Sequence, residues 1–451
     1  MKLRLSVFAI AVAMTLSGAA QAAVSAEEAA KLKTTLTPLG AERAGNADGS
    51  IPAWDGGYTK VPAGYKSGDP RPDFFADEKP LYSISAANMD EYADKLTDGV
   101  KGLMKKYPNY RIDVYPTHRT AAAPEWVYEN TFKNATRAKL TGDGYTFEGA
   151  YGGIPFPITT NANEMILNHL TMWKRGVSSV SPSRCFTVTA GGRMSMVSDG
   201  TQNIQMPYYY QDGGLEDYKG YYKKGHYVQS APASKAGESI MAHDPSEAGK
   251  RVGLWQYLVG QRRVRRAPSV SYDTPDSVTS GMGFFDEAFM LFGPWDHHTY
   301  KLVGKKEIYV PYNNNRANAA DPEKLFTPDF MNPDLVRWEL HRVWVIEAEL
   351  APGKRHVVAK RKFYLDEDSW QILLMDGWDA QGDLWRMAYT LTLLAPDVPA
   401  LIGNIAWGVY NLQNGGYYLN AAVNGTTQLK IKEPRPETFF TPEELANMGL
   451  R

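Results

Sequence analysis

Cysteine is almost absent from this chain of 451 residues. Cys185 is the only one, so no intramolecular disulfide can form and stability must come from a packed core. Cys185 lies in the strand-like run 184–190, where the residue pattern predicts a buried structural thiol rather than a nucleophile. Because 43% of the residues are hydrophobic, the chain can supply a large core without covalent links.

An excess of charge of one sign is also missing. The 49 basic and 50 acidic residues leave a formal net charge of −1, which gives the whole chain no electrostatic footprint for nucleic acid. We therefore expect no nucleic-acid partner. Charged residues make up 22% of the chain, and the 27 tyrosines and 11 tryptophans suit strands and amphipathic surfaces rather than a disordered segment.

Catalytic signatures are missing as well. The sequence has no G-x-S-x-G elbow, H-E-x-x-H helix, P-loop or G-x-G-x-x-G fingerprint. Asp296, His297 and His298 are adjacent, but neighbouring residues on a strand point to opposite faces, and no other His or Cys stands at ligand spacing. We expect a protein that is not an enzyme, with no metal site and no cofactor. A cavity that joined these three residues to a further ligand would favour an enzyme instead.

Two acidic segments are expected to be ordinary turns. Asn46-Ala-Asp48-Gly-Ser50 begins like a calcium loop, but it lacks the downstream glutamate, so an Asx turn is favoured. Asp366-Glu-Asp368 falls at the tip of a hairpin, and a solvated turn is predicted there.

The first 22 residues are typical of a signal peptide. Lys2 and Arg4 precede the apolar run 5–16, which is too short to span a bilayer comfortably, and 20–22 form an A-x-A cleavage site. Loss of the two cations would move the formal charge from −1 to −3. No cysteine follows the apolar run to carry a lipid, so we expect a soluble protein secreted across the inner membrane into the periplasm.

The most regular part of the chain is a predicted four-stranded meander at 341–350, 355–365, 370–379 and 384–394. Turn-forming residues separate the strands, and short links between long strands indicate antiparallel pairing. Large apolar side chains lie on both faces of these strands, so both faces should be covered by helices, a partner or an apolar ligand. Five of these side chains are candidates to line an apolar cavity: Trp344, Ile346, Phe363, Trp370 and Trp378.

The mature chain, 23–451, is predicted to be a single β-rich domain. Residues 23–83 form an irregular N-terminal arm after a short helix capped by Ser25. The pattern predicts one amphipathic helix over 84–107, capped by Ser85. We expect this helix to be a lid over the cavity through the following side chains: Met89, Leu96 and Leu103.

Most of the other elements are predicted to be strands. These include 126–132 and 253–272, with a final hairpin at 405–412 and 417–423, while 163–173 and the segment after Thr441 are predicted helices. The segment 284–291 fits either type. The fold class that follows is mainly β: one large, curved antiparallel sheet whose concave face is covered by a few helices.

An arginine-rich run stands within the predicted strand 253–272. Alternation places Arg263 and Arg265 on one face and Arg262 and Arg266 on the other. One interpretation is a solvated surface with cross-strand pairing to acids such as Glu347 or Glu349. The other is that Arg263 and Arg265 hold an anionic headgroup at the mouth of a cavity.

Several segments together resemble a proteobacterial family of secreted proteins of unknown function, DUF1329. They are 36–57, Tyr151-Gly-Gly-Ile-Pro-Phe-Pro157, Gly260-Gln-Arg-Arg-Val-Arg-Arg-Ala-Pro268 and the motifs between His341 and Arg386. The resemblance covers essentially the whole mature chain. It implies a fold like that of the periplasmic lipoprotein carriers and the outer-membrane lipoprotein receptor, a curved antiparallel half-barrel closed by helices around an apolar cavity. It also implies an association with exporters of the resistance-nodulation-division type. This chain is about twice the size of those carriers.

Two functions follow as expectations. The first is a soluble periplasmic carrier or chaperone that binds an apolar or acylated ligand, such as a lipid or lipoprotein, and serves an export system or an outer-membrane partner. The second is an accessory subunit of an envelope export complex that binds no ligand and has a filled interior.

Overall fold

The computed structural model describes residues 23–246, 252–267, 270–403, 405–420 and 429–449. The predicted signal peptide and the end of the predicted strand 417–423 lie outside these ranges. Strands dominate the described residues: β1 Tyr82–Ser85, β2 Arg111–Val114, β3 Lys139–Leu140, β4 Phe147–Glu148, β5 Ser178–Val188, β6 Met194–Gln205, β7 Tyr221–Ala231, β8 Ser239–Pro245, β9 Gly253–Leu258, β10 Arg263–Arg266, β11 His298–Pro311, β12 Arg337–Leu350, β13 Lys360–Asp366, β14 Ile372–Trp378, β15 Leu384–Thr390, β16 Leu393–Ala395, β17 Ala400–Ile402, β18 Trp407–Asn411, β19 Tyr417–Asn420 and β20 Lys430–Ile431.

Helices are short and connect or cover the strands. The α-helices are α1 Ala26–Ala30, α2 Asp98–Lys106, α3 Glu125–Arg137, α4 Ala162–Thr171, α5 Asn315–Ala319, α6 Pro322–Leu325 and α7 Pro442–Gly449. The 3-10 helices are Lys31–Lys33, Met89–Lys95, Pro207–Tyr209, Ala233–Lys235, Val259–Gln261, Phe285–Met290, Pro333–Leu335 and Glu437–Phe440. Among the described residues, we find no helix with the length and apolar character needed to cross a membrane.

Sixteen of the strands form one open sheet. Its order is β1-β2-β12-β13-β14-β15-β18-β19-β5-β6-β7-β8-β9-β10, with β11 also paired to β12 and β20 to β5. The predicted single large sheet is confirmed. It is mixed rather than wholly antiparallel, because β2 runs parallel to β12 at Arg337 and Trp338.

The predicted meander is confirmed as β12 to β15, paired antiparallel in chain order. β13 begins at Lys360 rather than at the predicted residue 355, and His356, which precedes it, contacts Asp286 at 3.0 Å. The final hairpin is confirmed as β18 and β19, and the predicted helices at 163–173 and after Thr441 as α4 and α7.

Both faces of the meander are buried, as the sequence predicted. Phe363 and Met375 pair on one face, and Tyr364 and Leu374 pair on the other, with exposures of 4% or less. α2 covers the second face so closely that a Cβ on Gly99 would lie 2.2 Å from Asp376 Oδ1. The main apolar core extends from β1 through the meander to β7, with separate smaller clusters at β8 and β9, and it contains Cys185, whose predicted burial is confirmed. Burial raises the pKa of that thiol.

The single predicted helix over 84–107 is wrong. This stretch contains β1, the 3-10 helix Met89–Lys95 and α2, separated by Leu96 in an extended conformation. Thr97 is the N-cap of α2, because its hydroxyl accepts the backbone N–H of Val100 at 3.2 Å. The apolar spacing of three and four residues continues across the break, which explains why the pattern looked like one helix.

Two predicted strands also differ. Residues 126–132 belong to α3, where Val127, Thr131 and Ala135 are buried at helical spacing. In place of the predicted strand 253–272, residues 253–266 form a hairpin, β9 and β10, because Arg262 takes a left-handed conformation with φ 48° and reverses the chain.

The N-terminal arm is anchored by buried arginines of the sheet and its connections. Arg119 donates to the backbone carbonyls of Glu42, Arg43, Ala44 and Pro52. The predicted turn at 46–50 is present, with Asn46 and Asp48 side chains accepting backbone N–H groups at 2.9 Å.

The arm covers the turn 366–370, so the prediction of a solvated turn at 366–368 is wrong. Asp366 is 0% exposed and Asp368 5% exposed. The Trp370 indole N–H donates to the carbonyl of Leu39 at 2.8 Å, and the N–H of Glu42 donates to the Glu367 carboxylate at 3.1 Å. A long-range contact with a distant segment therefore overrides the local turn chemistry.

Candidate functional site: an apolar cavity in the sheet

The floor of the cavity is one face of β6, β7, β8 and β9. In the pairing register, Ile204 lies opposite Gly225, Gly225 opposite Ala242, and Ala242 opposite Leu254. Because side chains two residues apart on a strand share a face, the same face carries a second row further along. That row consists of Gln202, Tyr227 and Ile240.

Gly225 gives the floor its depth. It stands in the middle of the first row, between larger residues on the neighbouring strands, and contributes no side chain. A Cβ at this position would lie 3.2 Å from Ile204 Cδ1, so the space above it is bounded by that isoleucine. A glycine inside a strand often marks a place where another group approaches the backbone closely.

The roof is a segment that crosses the face of the sheet, Phe284–Phe292, and we call it the crossing segment. Phe285, Phe289 and Phe292 line the cavity, and their rings contact one another with centroids 4.9 and 5.7 Å apart. Phe289 and Met290 have φ values of 55° and 73°, a conformation that bulky residues rarely adopt. This break in the 3-10 helix lets the three aromatic rings face the sheet.

Two buried ion pairs fix the crossing segment to the meander. The Arg361 guanidinium donates to Asp286 Oδ2 at 2.8 Å, and His356 lies 3.0 Å from the same oxygen. The Arg386 Nε–H donates to Glu287 Oε1 at 2.8 Å. Burial alone would raise the pKa of Asp286, but Arg361 and His356 outweigh it and hold that pKa well below its usual range.

The polar end of the cavity is formed by Lys223 and Asp244, which face each other on β7 and β8. The Lys223 ammonium lies 3.4 Å from the Asp244 carboxylate. It also lies over the rings of Phe289 and Phe292, 4.4 and 4.5 Å from their centroids. Burial lowers the pKa of Lys223, and the charge of Asp244 opposes that shift.

The cavity has a volume of about 130 Å³, and its lining is mostly apolar. An apolar cavity of about 150 Å³ is large enough to bind benzene, so this one has room for an apolar group of about that size. Asp276 lies at the rim, and burial raises its pKa to about 6, against the effect of the Val278 N–H. Such a lining can bind an apolar group by excluding water, with one charged pair at its end.

Among the residues predicted to line a cavity, those on the meander lie elsewhere. Ile346 and Phe363 are cross-strand neighbours in the main core, with 0% exposure. Trp370 is buried beneath the N-terminal arm. Trp344 lies under the ammonium of Lys305, with 4.6 Å between that nitrogen and the ring centroid.

The remaining predicted residues are also outside this cavity. Trp378 is half-buried, and the ammonium groups of two lysines lie 5.4 and 5.9 Å from its ring. Met89, Leu96 and Leu103 pack into the main core. None of the residues predicted for an apolar lining is among those that line this cavity. The assignment of those side chains to a ligand stays a prediction.

Arg263 and Arg265 are exposed on β10 at an end of the sheet. Their bonds are to glutamines: Arg263 to Gln261 at 3.2 Å and Arg265 to Gln256 at 3.3 Å. The expected pairing with Glu347 or Glu349 is wrong, because both of these acids pair with Lys360. The headgroup function of the two arginines stays a prediction, since they do not line this cavity.

The two adjacent histidines point to different partners. His297 bonds to the carbonyl of Arg355 at 3.0 Å, and His298 bonds to the carbonyl of Val358 at 3.1 Å. Asp296 pairs instead with Tyr272 and Lys354.

The residues that line the cavity were missed because they lie on strands that are far apart in sequence from the roof. One sequence feature does indicate the roof of the cavity: Phe285, Phe289 and Phe292 lie between Gly283 and Gly293. Three aromatic residues in so short a glycine-bounded segment are typical of an irregular segment that buries its rings against another element.

Comparisons with known proteins give a family, a relative by sequence and several solved structures. The model of the family described as "Protein of unknown function (DUF1329)" matches residues 83–446. Uncharacterized protein PA3922 of Pseudomonas aeruginosa is 39% identical over 457 residues, which cover 95% of each chain.

The matches to three solved structures cover most of the length of those proteins. A putative outer membrane lipoprotein-sorting protein domain from Vibrio parahaemolyticus has 14% identity and a TM-score of 0.41, over 60% of this chain and 91% of that one. A DUF1329 family protein from Desulfovibrio piger has 14% identity and a TM-score of 0.39, over the same shares of 60% and 91%. A LolA superfamily protein from Nitrosomonas europaea has 9% identity and a TM-score of 0.35, over 63% of this chain and 98% of that one.

Proposed function

The chain belongs to the DUF1329 family, whose function is unknown, and we propose that it is a non-enzymatic carrier of an apolar or acylated ligand. The observation that carries this proposal is the apolar cavity between β6–β9 and the crossing segment. Its lining offers aromatic and aliphatic surface with a single ion pair at one end, a composition suited to holding a hydrocarbon group.

The binding free energy of such a ligand comes from burial. Each buried methylene is worth about 0.8 kcal/mol, so a chain of a dozen that extends from the cavity along its open mouth gives at most roughly 10 kcal/mol before the costs of association. That gross amount is sufficient for capture without a covalent bond. Release requires that the crossing segment move or that a partner accept the ligand.

The predicted signal peptide at 1–22 supports a place for this carrier in the periplasm, as a soluble protein. Handover of a lipid or lipoprotein there needs a receiving protein in the envelope. We propose an exporter of the resistance-nodulation-division type or an outer-membrane protein as that partner.

Ligand binding is tested with protein purified from the periplasm. Native mass spectrometry and lipid extraction should detect an apolar or acylated ligand, and a fluorescent fatty acid should bind the delipidated protein. Ala242→Phe places a ring in the floor of the cavity, and we expect it to weaken binding of the fluorescent fatty acid at least tenfold.

The matched control is Thr201→Phe. Thr201 is exposed and adjoins Gln202 on β6, so its side chain points away from the cavity. We expect this variant to bind as the wild type does. Protein that carries no ligand and ignores fluorescent fatty acids would overturn the proposal. A stable stoichiometric membrane partner found by crosslinking in that case would instead favour the accessory-subunit function.

A further inference from the structure

A second cluster of chemically capable groups lies beneath the N-terminal arm, away from the cavity. It consists of His341 on β12, Asp366 at the end of β13 and Asp368 in the following turn. One ligand atom from each residue lies within 4.8 Å of the others. The side chains are 1%, 0% and 5% exposed, so water does not solvate them freely.

The two acids next to Asp366 have cationic partners. Asp368 accepts two bonds from the Arg119 guanidinium, at 2.9 and 2.6 Å. Glu367 pairs with Arg342, whose Nε lies 3.0 Å away, and with the ammonium of Lys305. These pairs satisfy the charge of both carboxylates.

Asp366 differs from its neighbours. Its Oδ2 accepts hydrogen bonds from the hydroxyls of Tyr312, at 3.0 Å, and of Ser369. No described lysine or arginine pairs with it, and its Oδ1 has no hydrogen-bond partner among the described residues although it is buried. A buried carboxylate oxygen without a partner costs free energy, and a bound cation is one way to remove that cost.

His341 has the kind of hydrogen-bond partner that fixes histidines in metal sites. Its Nε2 lies 3.1 Å from the Glu339 carboxylate, and its ring stacks on Tyr312 with 3.7 Å between centroids. When a carboxylate accepts the N–H of one ring nitrogen, the other ring nitrogen keeps its lone pair and can bind a metal. Most metal-binding histidines are held in this way. Glu339 is itself fixed by the guanidinium of Arg337 and the N–H of His118.

The positive charge of the Arg119 guanidinium repels a cation at this site, because Arg119 donates hydrogen bonds to both carboxylate oxygens of Asp368. Each carboxylate oxygen has a second lone pair, so Asp368 can accept from Arg119 and bind an ion. The ion-pair network around the cluster also has more negative than positive groups. Its ion pairs and Asp366 contain six carboxylates and four permanent cations.

We propose that His341, Asp366 and Asp368 bind one divalent cation of the zinc type, which fastens the turn 366–370 to β12 beneath the N-terminal arm. One imidazole and two carboxylates suit Zn²⁺ with a water as fourth ligand. The ion would supply the positive charge that Asp366 lacks. This site is independent of the apolar cavity, so either proposal can fail without the other.

The first test uses full-length mature protein without a histidine tag, stripped with a chelator. Calorimetric titration with Zn²⁺ should show one ion per chain, and Co²⁺ should give the visible absorption of a cobalt ion bound to nitrogen and oxygen. We also expect Zn²⁺ to slow amide hydrogen exchange in the turn 366–370 and in the arm. Wild-type protein that takes up no Zn²⁺ in this titration would overturn the proposal.

The second test uses variants. Asp366→Asn and His341→Gln should each weaken Zn²⁺ binding at least a hundredfold. The matched control is Asp376→Asn, which also removes a fully buried carboxylate, one that accepts hydroxyl bonds from Tyr364 and Thr97. We expect it to keep the affinity of the wild type. If Zn²⁺ binds both site variants as it binds the control, the ion lies elsewhere and the proposal is wrong.

Discussion

At the scale of single residues, the interior contains several buried arginines that each donate two hydrogen bonds to one carboxylate. Arg119 with Asp368, Arg386 with Glu287 and Arg71 with Asp397 each form two-pronged contacts with little or no solvent. A sheet covered on both faces must bury whatever charge its turns and segments carry. Removing one partner of such a pair leaves an uncompensated charge and usually costs about 3–5 kcal/mol.

Asp376 is a buried acid without a cationic partner among the described ion pairs. Burial raises its pKa from 3.8 to about 6, although Tyr364, Thr97 and the N–H of Gly99 oppose the shift. The folded protein therefore holds this proton more tightly than the unfolded chain does. The stability that Asp376 contributes is present below pH 4 and is lost as the pH rises through 6.

Asp376→Asn should remove this loss. From pH 4 to pH 7, the free energy of unfolding of the variant should rise relative to the wild type by about 2 kcal/mol, since one pKa unit is worth about 1.4 kcal/mol and most of the shift takes effect within this window. Urea unfolding at several pH values measures the difference. Asp212→Asn, at an exposed position, should give a profile parallel to that of the wild type. A constant offset between Asp376→Asn and wild type would contradict the prediction.

At the scale of elements, the sequence predicted what local periodicity determines. The turn-forming residues between apolar runs predict the meander and the β18–β19 hairpin, and apolar residues at helical spacing predict α4. The segment 84–107 was misjudged because two short helices present one apolar stripe to the same core, and periodicity does not register the break at Leu96.

The candidate site was less predictable than the fold for the same reason. Its floor is a row across four strands, and its roof is a segment whose conformation depends on Arg361 and Arg386 of the meander. Register and long-range ion pairs have no local signature. The large apolar residues of the meander are prominent in the sequence, but none of them lines this cavity, and Ile346, Phe363 and Trp370 belong to the main core.

The crossing segment gives a prediction about its own attachment. Glu287→Gln keeps an oxygen for the Phe284 N–H but leaves the Arg386 guanidinium buried without its carboxylate. We expect a loss of about 3–5 kcal/mol in the free energy of unfolding. Glu287→Gln combined with Arg386→Met removes the stranded charge, so the double variant should be more stable than Glu287→Gln alone. Additive losses in a urea-unfolding cycle would contradict this account.

At the scale of the whole molecule, the sheet stays open and its outer strands carry cations. β10 exposes Arg263 and Arg265, and β11 carries three lysines and a bulge at Gly304. Charged side chains and bulges at the edges of sheets prevent pairing with strands of other molecules. The arginine run is thus explained without a ligand, by its place at the end of the sheet.

Replacing both arginines should allow the β10 edge to pair with strands of other molecules. We expect Arg263→Val combined with Arg265→Val to form larger assemblies than the wild type does at the same concentration, as measured by light scattering after size-exclusion chromatography. The control is Lys60→Val with Lys66→Val, which removes two exposed cations from the arm, outside any strand. Equal behaviour of the two double variants would show that the position of the charges is unimportant.

The pairing of β19 with β5 has a consequence for how the chain folds. It joins residues 417–420 to 185–188 and thereby connects the strands of the middle of the chain to the meander. The two parts of the sheet can therefore join there only after nearly the whole polypeptide is available. Contacts between such distant residues close slowly, because a long loop must be ordered before they form. During synthesis the middle strands therefore have an unpaired edge, which is prone to aggregation until the C-terminal strands are available.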